Sequence, residues 1–556
     1  MVSFIFLGSA ASAQFTDNAG IPSEKIRQLD GLCRVWGFLK YYHPKIQSGK
    51  IDWDSVLIAA TPKVFNARNR GEFNDVINRL IQSAGAVEKL SMPYKYLPKD
   101  TSFNNFDYEW IKNEKLFSAE NGKLLFAVIE NYKPRKNVYI DREINKYYFE
   151  DLGSKKIKEY YYVNTYNPDT AHALLALFRY WNVINYFFAY KKITNENWND
   201  VLPEFIPKIL RTADTPDFYL AMVNLITKIN DCHGFFRNYN YDSIVGLYFI
   251  PIGVHLVEGK TIITEIADSL SIITGMKKGD QLIRINDVDV EEKRKQMREY
   301  CNCSTDAAVE REINYSIRQC LTNYFTVTFS DSSGVHKTVS FTNREYWNSQ
   351  AHKQATKMIP DSVGYINLFF VDDMKGIRRA MKHFQNTKAI IFDLRENAWT
   401  ALLPIGMRLP DRKSVPFANY YEASFTYPAS YKFSRDKEWY LGLRFFHKKY
   451  KGKVIFLINE NVQSTYEWQL MSLLADYKIT LIGSNTSGTD GSATSFLIQK
   501  NFLAYFTRDA VFFPDGKQTQ RVGVKPDIYS VPTIKGIRKG RDEVMDRAIE
   551  FINTEK

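Results

Sequence analysis

Apolar residues between positions 24 and 97 recur at three- and four-residue spacing with few breakers, which predicts helices. The pattern returns at 168–240 and matches in detail. Leu32, Arg34, Trp36, Trp53, Pro62 and Phe73 are matched, at a constant offset of 145, by Leu177, Arg179, Trp181, Trp198, Pro207 and Phe218. Two tryptophans on one ungapped offset predict two related helical modules. The second copy ends in Asp231-Cys232-His233-Gly234, and the position matching His233 in the first copy is Glu88. A shared helical scaffold therefore does not account for the histidine.

Between the copies, 98–165 reads as a β-rich polar insert. Residues 123–128 and 138–140 form short apolar or alternating runs, and Asn121-Gly122 is a hairpin signal. The pattern changes again at 246–330. Pro251-Ile252-Gly253-Val254-His255-Leu256 and 261–266 predict strands. Gly275 to Asn286 then runs through a Gly-Asp turn, a strand and an Asn-Asp turn. This order resembles the PDZ-domain signature. PDZ domains add an extended peptide tail to a strand edge and capture its carboxylate with backbone amides. By that resemblance, Gly253 and Val254 are the candidate peptide-binding positions. From 341 to 556 strands and helices alternate. Strands are expected at 363–368, 389–395, 454–459 and 480–483, with a helix at 374–384, which argues an α/β core.

Composition narrows the class. Apolar residues make up 45% and charged residues 24% of 556 residues, a globular balance sufficient for several cores. The net charge of +12 comes from scattered lysines and arginines. No nucleic-acid motif accompanies them, so a solvated basic surface is expected and no nucleic-acid partner. The five cysteines are odd in number, and Cys301-x-Cys303 is too tight for a zinc knuckle. Mostly free thiols, or at best one disulfide, are expected, and no metal. Residues 2–7 are apolar, and Ala11-Ser12-Ala13 before Gln14 has the small-x-small form of a signal-peptidase site. Residues 1–13 thus read as the remnant of a signal peptide, and the chain as exported to the periplasm or cell envelope. No stretch is long and apolar enough for a transmembrane span.

Chemistry is expected around Ser464. The stretch 459–467, Asn-Glu-Asn-Val-Gln-Ser-Thr-Tyr-Glu, follows a buried strand and opens a helix. A serine there sits beside free backbone amides and the positive end of the helix dipole, which suits an oxyanion. It is equally a plain helix cap. The wider order resembles the tail-specific (C-terminal processing) serine peptidase family, in its tricorn-protease-like branch. The marks are the Asp-Cys-His segment, the PDZ-like domain, Asp393-Leu394-Arg395, Ser464 with Glu467, and Val522-Gly523-Val524-Lys525-Pro526-Asp527.

That resemblance implies Ser464 as nucleophile, with Glu467 and Cys232 in support. One branch of the family uses a lysine 25 residues after the serine. Thr489 stands there, so the resemblance implies His233 as the base instead. It also implies an oxyanion hole from the Thr465 amide and that of Ala398 or Trp399, where the family commonly has glycines. The acid expected before the Val-Gly-Val segment is missing. Gln518 and Gln520 lie there, Gln520 can orient the histidine by hydrogen bond, and Asp490 is a substitute candidate.

The expected architecture is multidomain α+β. Two helical modules flank a β insert and precede a PDZ-like domain and an α/β core, for which the resemblance implies a crotonase-like spiral. The expected reaction is peptide-bond hydrolysis through an acyl-enzyme, on a peptide or protein substrate held by its C-terminus, without cofactor. The alternative is a weak or inactive homologue that binds peptide C-termini through the PDZ-like domain.

Overall fold

The computed structural model describes residues 20–91, 103–140, 168–237, 245–342, 354–371, 373–396, 402–409, 415–424, 426–437, 448–499 and 502–554. The 1–13 segment, Ala398 and Trp399 lie outside them.

The first helical copy contains helices Ser23–Tyr42, Trp53–Asn66 and Arg70–Ala84. The second contains Thr170–Phe187, Trp198–Leu210 and Thr215–Thr227. Matched residues do matched work. The Trp36 and Trp53 indoles each donate to the other's backbone carbonyl at 2.9 Å. Trp181 and Trp198 repeat the exchange at 2.9 and 3.0 Å. Arg179 binds Asp54 of the first copy, which also receives Lys40 at 3.2 Å, so the buried charges neutralise one another across the repeat.

The described part of the insert is helical, which corrects the β-rich expectation. Residues 123–128 lie in helix Ala119–Glu130, and Val138–Ile140 is a short 3-10 turn. The Asn-Gly pair makes no hairpin. Ser118 caps the helix by accepting from Asn121 N–H at 3.2 Å, and the Asn121 amide donates to Asn74 O at 3.0 Å. Asn121, Leu125 and Val128 are buried together, which is helical spacing rather than strand alternation.

The segment 246–342 forms an antiparallel sheet in the order Ile252–Val257, Lys260–Ile266, Gln281–Ile285, Tyr324–Ser330, His336–Thr342. Asn286 and Asp287 turn the chain with φ of 46° and 66°. Among the described residues, the Ile252–Val257 strand stands at the sheet edge.

The C-terminal unit has a sheet ordered Thr356–Ile359, Val363–Asn367, Ala389–Asp393, Lys453–Ile458, Thr480–Gly483, Ile528–Tyr529, parallel after its first pair. Its central strands Ala389–Asp393 and Lys453–Ile458 are apolar at 389–392 and 454–458, because both of their faces are covered. Ile390, Phe392, Phe456 and Ile458 pack on one face, and Ile391, Ile455, Leu457 and Ile482 on the other. A second, antiparallel sheet centres on Phe502–Phe512. Its Phe496, Phe502 and Phe506 join the core of the helical repeats, which sets the end of the second copy against the α/β unit.

Candidate active site

The strand Lys453–Ile458 delivers the chain to a loop, and helix Thr465–Asp476 begins at Ser464. Ser464 has φ 58° and ψ −119°. A non-glycine residue held there stores roughly 1–3 kcal/mol of strain, a condition that clusters at functional sites. Its backbone N–H is shared between Thr489 O at 2.8 Å and Glu467 Oε2 at 3.1 Å. The Ser464 hydroxyl meets the imidazole of His233 from the repeat module. Thr465 opens the helix, so its N–H has no partner inside it.

The Glu467 carboxylate is the tie of this region. Besides Ser464 it accepts from Thr486 Oγ1, from Gly488 N at 2.8 Å and from Thr489 N at 2.9 Å. Burial, with the Asp490 carboxylate, pushes it up to about 8 against those four donors. Its role is to fix the 486–489 loop to the start of the serine's helix.

His233 arrives from the other side. The turn after helix Thr215–Thr227 is fastened by the segment following Cys301. Asn302 accepts from Asp231 N at 3.1 Å and donates to Gly234 O at 2.6 Å, and Ser304 Oγ accepts from Cys232 N at 3.2 Å. The imidazole is nearly buried, with Nε2 2.9 Å from Ser464 Oγ and Nδ1 2.9 Å from Thr507 Oγ1. Two segments 231 residues apart thus meet at hydrogen-bond distance.

Residues 362–530 match the Peptidase family S41 model. The matched segment is similar to S41 peptidases. Ser464, Glu467 and Thr507 lie inside the S41 segment, and His233 reaches it from outside. The resemblance read from the motifs, that of the tail-specific peptidases, has this match behind it. No curated protein matches the sequence. Among solved structures, mature CPAF complexed with lactacystin gives a TM-score of 0.56 at 13% identity, over 70% of this chain and 99% of that one. Mature CPAF alone gives 0.55 at 13% identity, over 69% and 98%. The photosystem II D1 C-terminal processing protease gives 0.39 at 14% identity, over 67% and 98%. The CPAF likeness is one of fold, and the last score is too low to carry weight.

Around Ser464 the remaining sequence candidates fall into two groups. Cys232 is close: its thiol meets Ser487 Oγ at 3.3 Å and accepts from Ser304 N at 3.2 Å. Burial alone would raise it, but the Cys303 thiol, Arg311 and Ser487 outweigh that and bring it down to about 5. Gln520 and Asp490 are displaced from the histidine, whose two ring nitrogens are taken by Ser464 and Thr507. Gln520 instead donates to Asp231 Oδ1 at 3.2 Å and Ser304 Oγ at 3.1 Å, and accepts from Asp490 N at 3.0 Å. The Gln518 amide donates to Gln520 O. Thr507 carries no motif in the strand Phe502–Phe512, so the sequence alone does not point to it. Asp231 stands in the Asp-Cys-His segment without a role legible there. Among the described residues, no group of three or more His, Cys, Asp and Glu could hold a metal ion.

Proposed function

We propose that this chain is an exported serine endopeptidase of the tail-specific type, hydrolysing peptide bonds with Ser464 as nucleophile and His233 as base. The observation that carries the reading is the 2.9 Å contact between Ser464 Oγ and His233 Nε2, within an S41 segment. In the mechanism, His233 Nε2 takes the hydroxyl proton as Oγ bonds to the substrate carbonyl carbon. The imidazolium returns that proton to the leaving amine as the C–N bond breaks, and water repeats the sequence on the acyl-enzyme. The Thr465 N–H at the positive end of its helix supports the oxyanion, with the amide of Ala398 or Trp399 as second donor. The sheet at 246–342 is read as PDZ-like, with Gly253 and Val254 on an edge strand able to take a peptide C-terminus.

A fluorophosphonate probe tests the reading: it should label wild-type protein at Ser464 and fail on Ser464→Ala. A wild-type protein that does not label favours the second reading, a binder of peptide C-termini. That reading is supported by the position of Ile252–Val257 at an end of its sheet and by the neutral Thr507 partner of the imidazole. Export rests on Ala11-Ser12-Ala13. Among the described residues, no helix is long and apolar enough to cross a membrane.

A further inference from the structure

A base that must become an imidazolium needs two things from its surroundings: the right tautomer and negative charge. In a Ser-His-Asp arrangement one carboxylate on Nδ1 supplies both. Here, among the described residues, Nδ1 meets a hydroxyl, that of the fully buried Thr507. A hydroxyl has one proton and can either give or take a hydrogen bond. When it gives one to Nδ1, the ring proton sits on Nε2 and the ring cannot accept from Ser464. When it takes one, Nε2 is free to act as base. Thr507 fixes where the ring lies but tolerates both states.

The missing charge lies one hydrogen bond further back. Asp231 is fully buried. Its Oδ2 accepts the Thr507 N–H at 2.8 Å, and its Oδ1 accepts the His233 N–H at 3.1 Å and the Gln520 amide at 3.2 Å. The carboxylate therefore holds the backbones of both partners of the Nδ1 contact. Among the described residues no cation is ion-paired to it. A buried charge with hydrogen bonds but no counter-ion favours any positive charge that forms nearby. The protonated His233 ring is such a charge.

We propose that Thr507 and Asp231 divide the work of the absent third acid. Thr507 is the positioning residue for the His233 ring, and Asp231 supplies the charge that stabilises the imidazolium. The division rests on the Ser464–His233 reading for its catalytic meaning, but the contacts can be tested without turnover. The full chain, labelled with ¹⁵N-histidine, reports the His233 Nδ1 and Nε2 environment by NMR, alongside its rate of fluorophosphonate labelling. Thr507→Val keeps the shape and removes the hydroxyl. It should move the Nδ1 resonance and slow labelling about tenfold or more, a part of the roughly 10²–10⁴-fold that a positioned acid–base group contributes. Thr507→Ser should restore both. Asp231→Asn should slow labelling by a similar factor, with the Thr507 contact to Nδ1 still visible in the spectrum. An Nδ1 resonance unmoved in Thr507→Val overturns the positioning role. Asp231→Asn labelling at the wild-type rate overturns the charge role. If the wild type never labels yet Thr507→Val moves Nδ1 and Thr507→Ser restores it, the positioning contact stands and the peptidase reading fails.

Discussion

Glu467 accepts the backbone N–H of Ser464 from one turn further along the same helix, at 3.1 Å. Both of its oxygens are filled by donors, two on each. Glu467→Gln places an NH₂ group where two donors already point. At pH 9, where the carboxyl is ionised, the change should cost about 1–3 kcal/mol in urea unfolding. It should also slow probe labelling at Ser464. Unchanged stability would remove Glu467 as the tie of the 486–489 loop.

Ser464→Ala and His233→Ala should each reduce peptide hydrolysis on the order of 10⁴-fold or more, and the double variant should be little worse, because nucleophile and base act as a unit. Steady-state assays on a peptide mixture read this directly. Additive losses would mean that the two residues do not cooperate.

Cys232, brought down to about 5, should be a thiolate at neutral pH. Its alkylation by iodoacetamide should rise through about pH 5 and level off well below pH 9, since the thiolate is the nucleophile. The sign for stability follows the same shift: the contribution is fully present above the ordinary thiol value and is lost as pH falls through about 5. Cys301, pushed by burial up to about 12, and Cys33, raised by burial, should not react under those conditions. Mass spectrometry of the alkylated peptides separates the three. A Cys232 midpoint near 9 would contradict the arrangement around Arg311.

The reciprocal tryptophan pairs make a matched experiment. Trp53→Phe and Trp198→Phe each leave a buried carbonyl without its indole donor, at a cost of about 1–3 kcal/mol. The two losses should be similar, because the partners and distances are nearly the same in both copies. Chemical denaturation of the full chain measures both. A large loss in one copy alone would mean that the repeats share sequence but not energetics.

What could be read from the chain depended on range. Strand runs such as 389–392 and 454–458 declare themselves because both faces are buried and every position in them is apolar. The repeats declare themselves because the paired tryptophans need each other at one fixed separation. Helix Ala119–Glu130 was hidden, since Asn121-Gly122 imitates a turn unless the Asn74 contact is known. Ser464 and His233, which the motifs single out, lie at hydrogen-bond distance. The residues around them carry no such mark, because a lone threonine in a strand has no local signal. Gln520 was reasonably suspected, yet its amide is spent on Asp231 and Ser304. Only the folded path of Phe502–Phe512 puts Thr507 against the ring.

Because His233 precedes Ser464 by 231 residues, synthesis separates them in time as well as in space. The histidine leaves the ribosome with the helical repeats, long before the serine exists. The strand bearing Thr507 follows later still, so the contacts of the His233 ring with Ser464 and Thr507 form only when nearly the whole chain has been made and docked. A copy whose C-terminal strands had not docked would hold the two side chains apart.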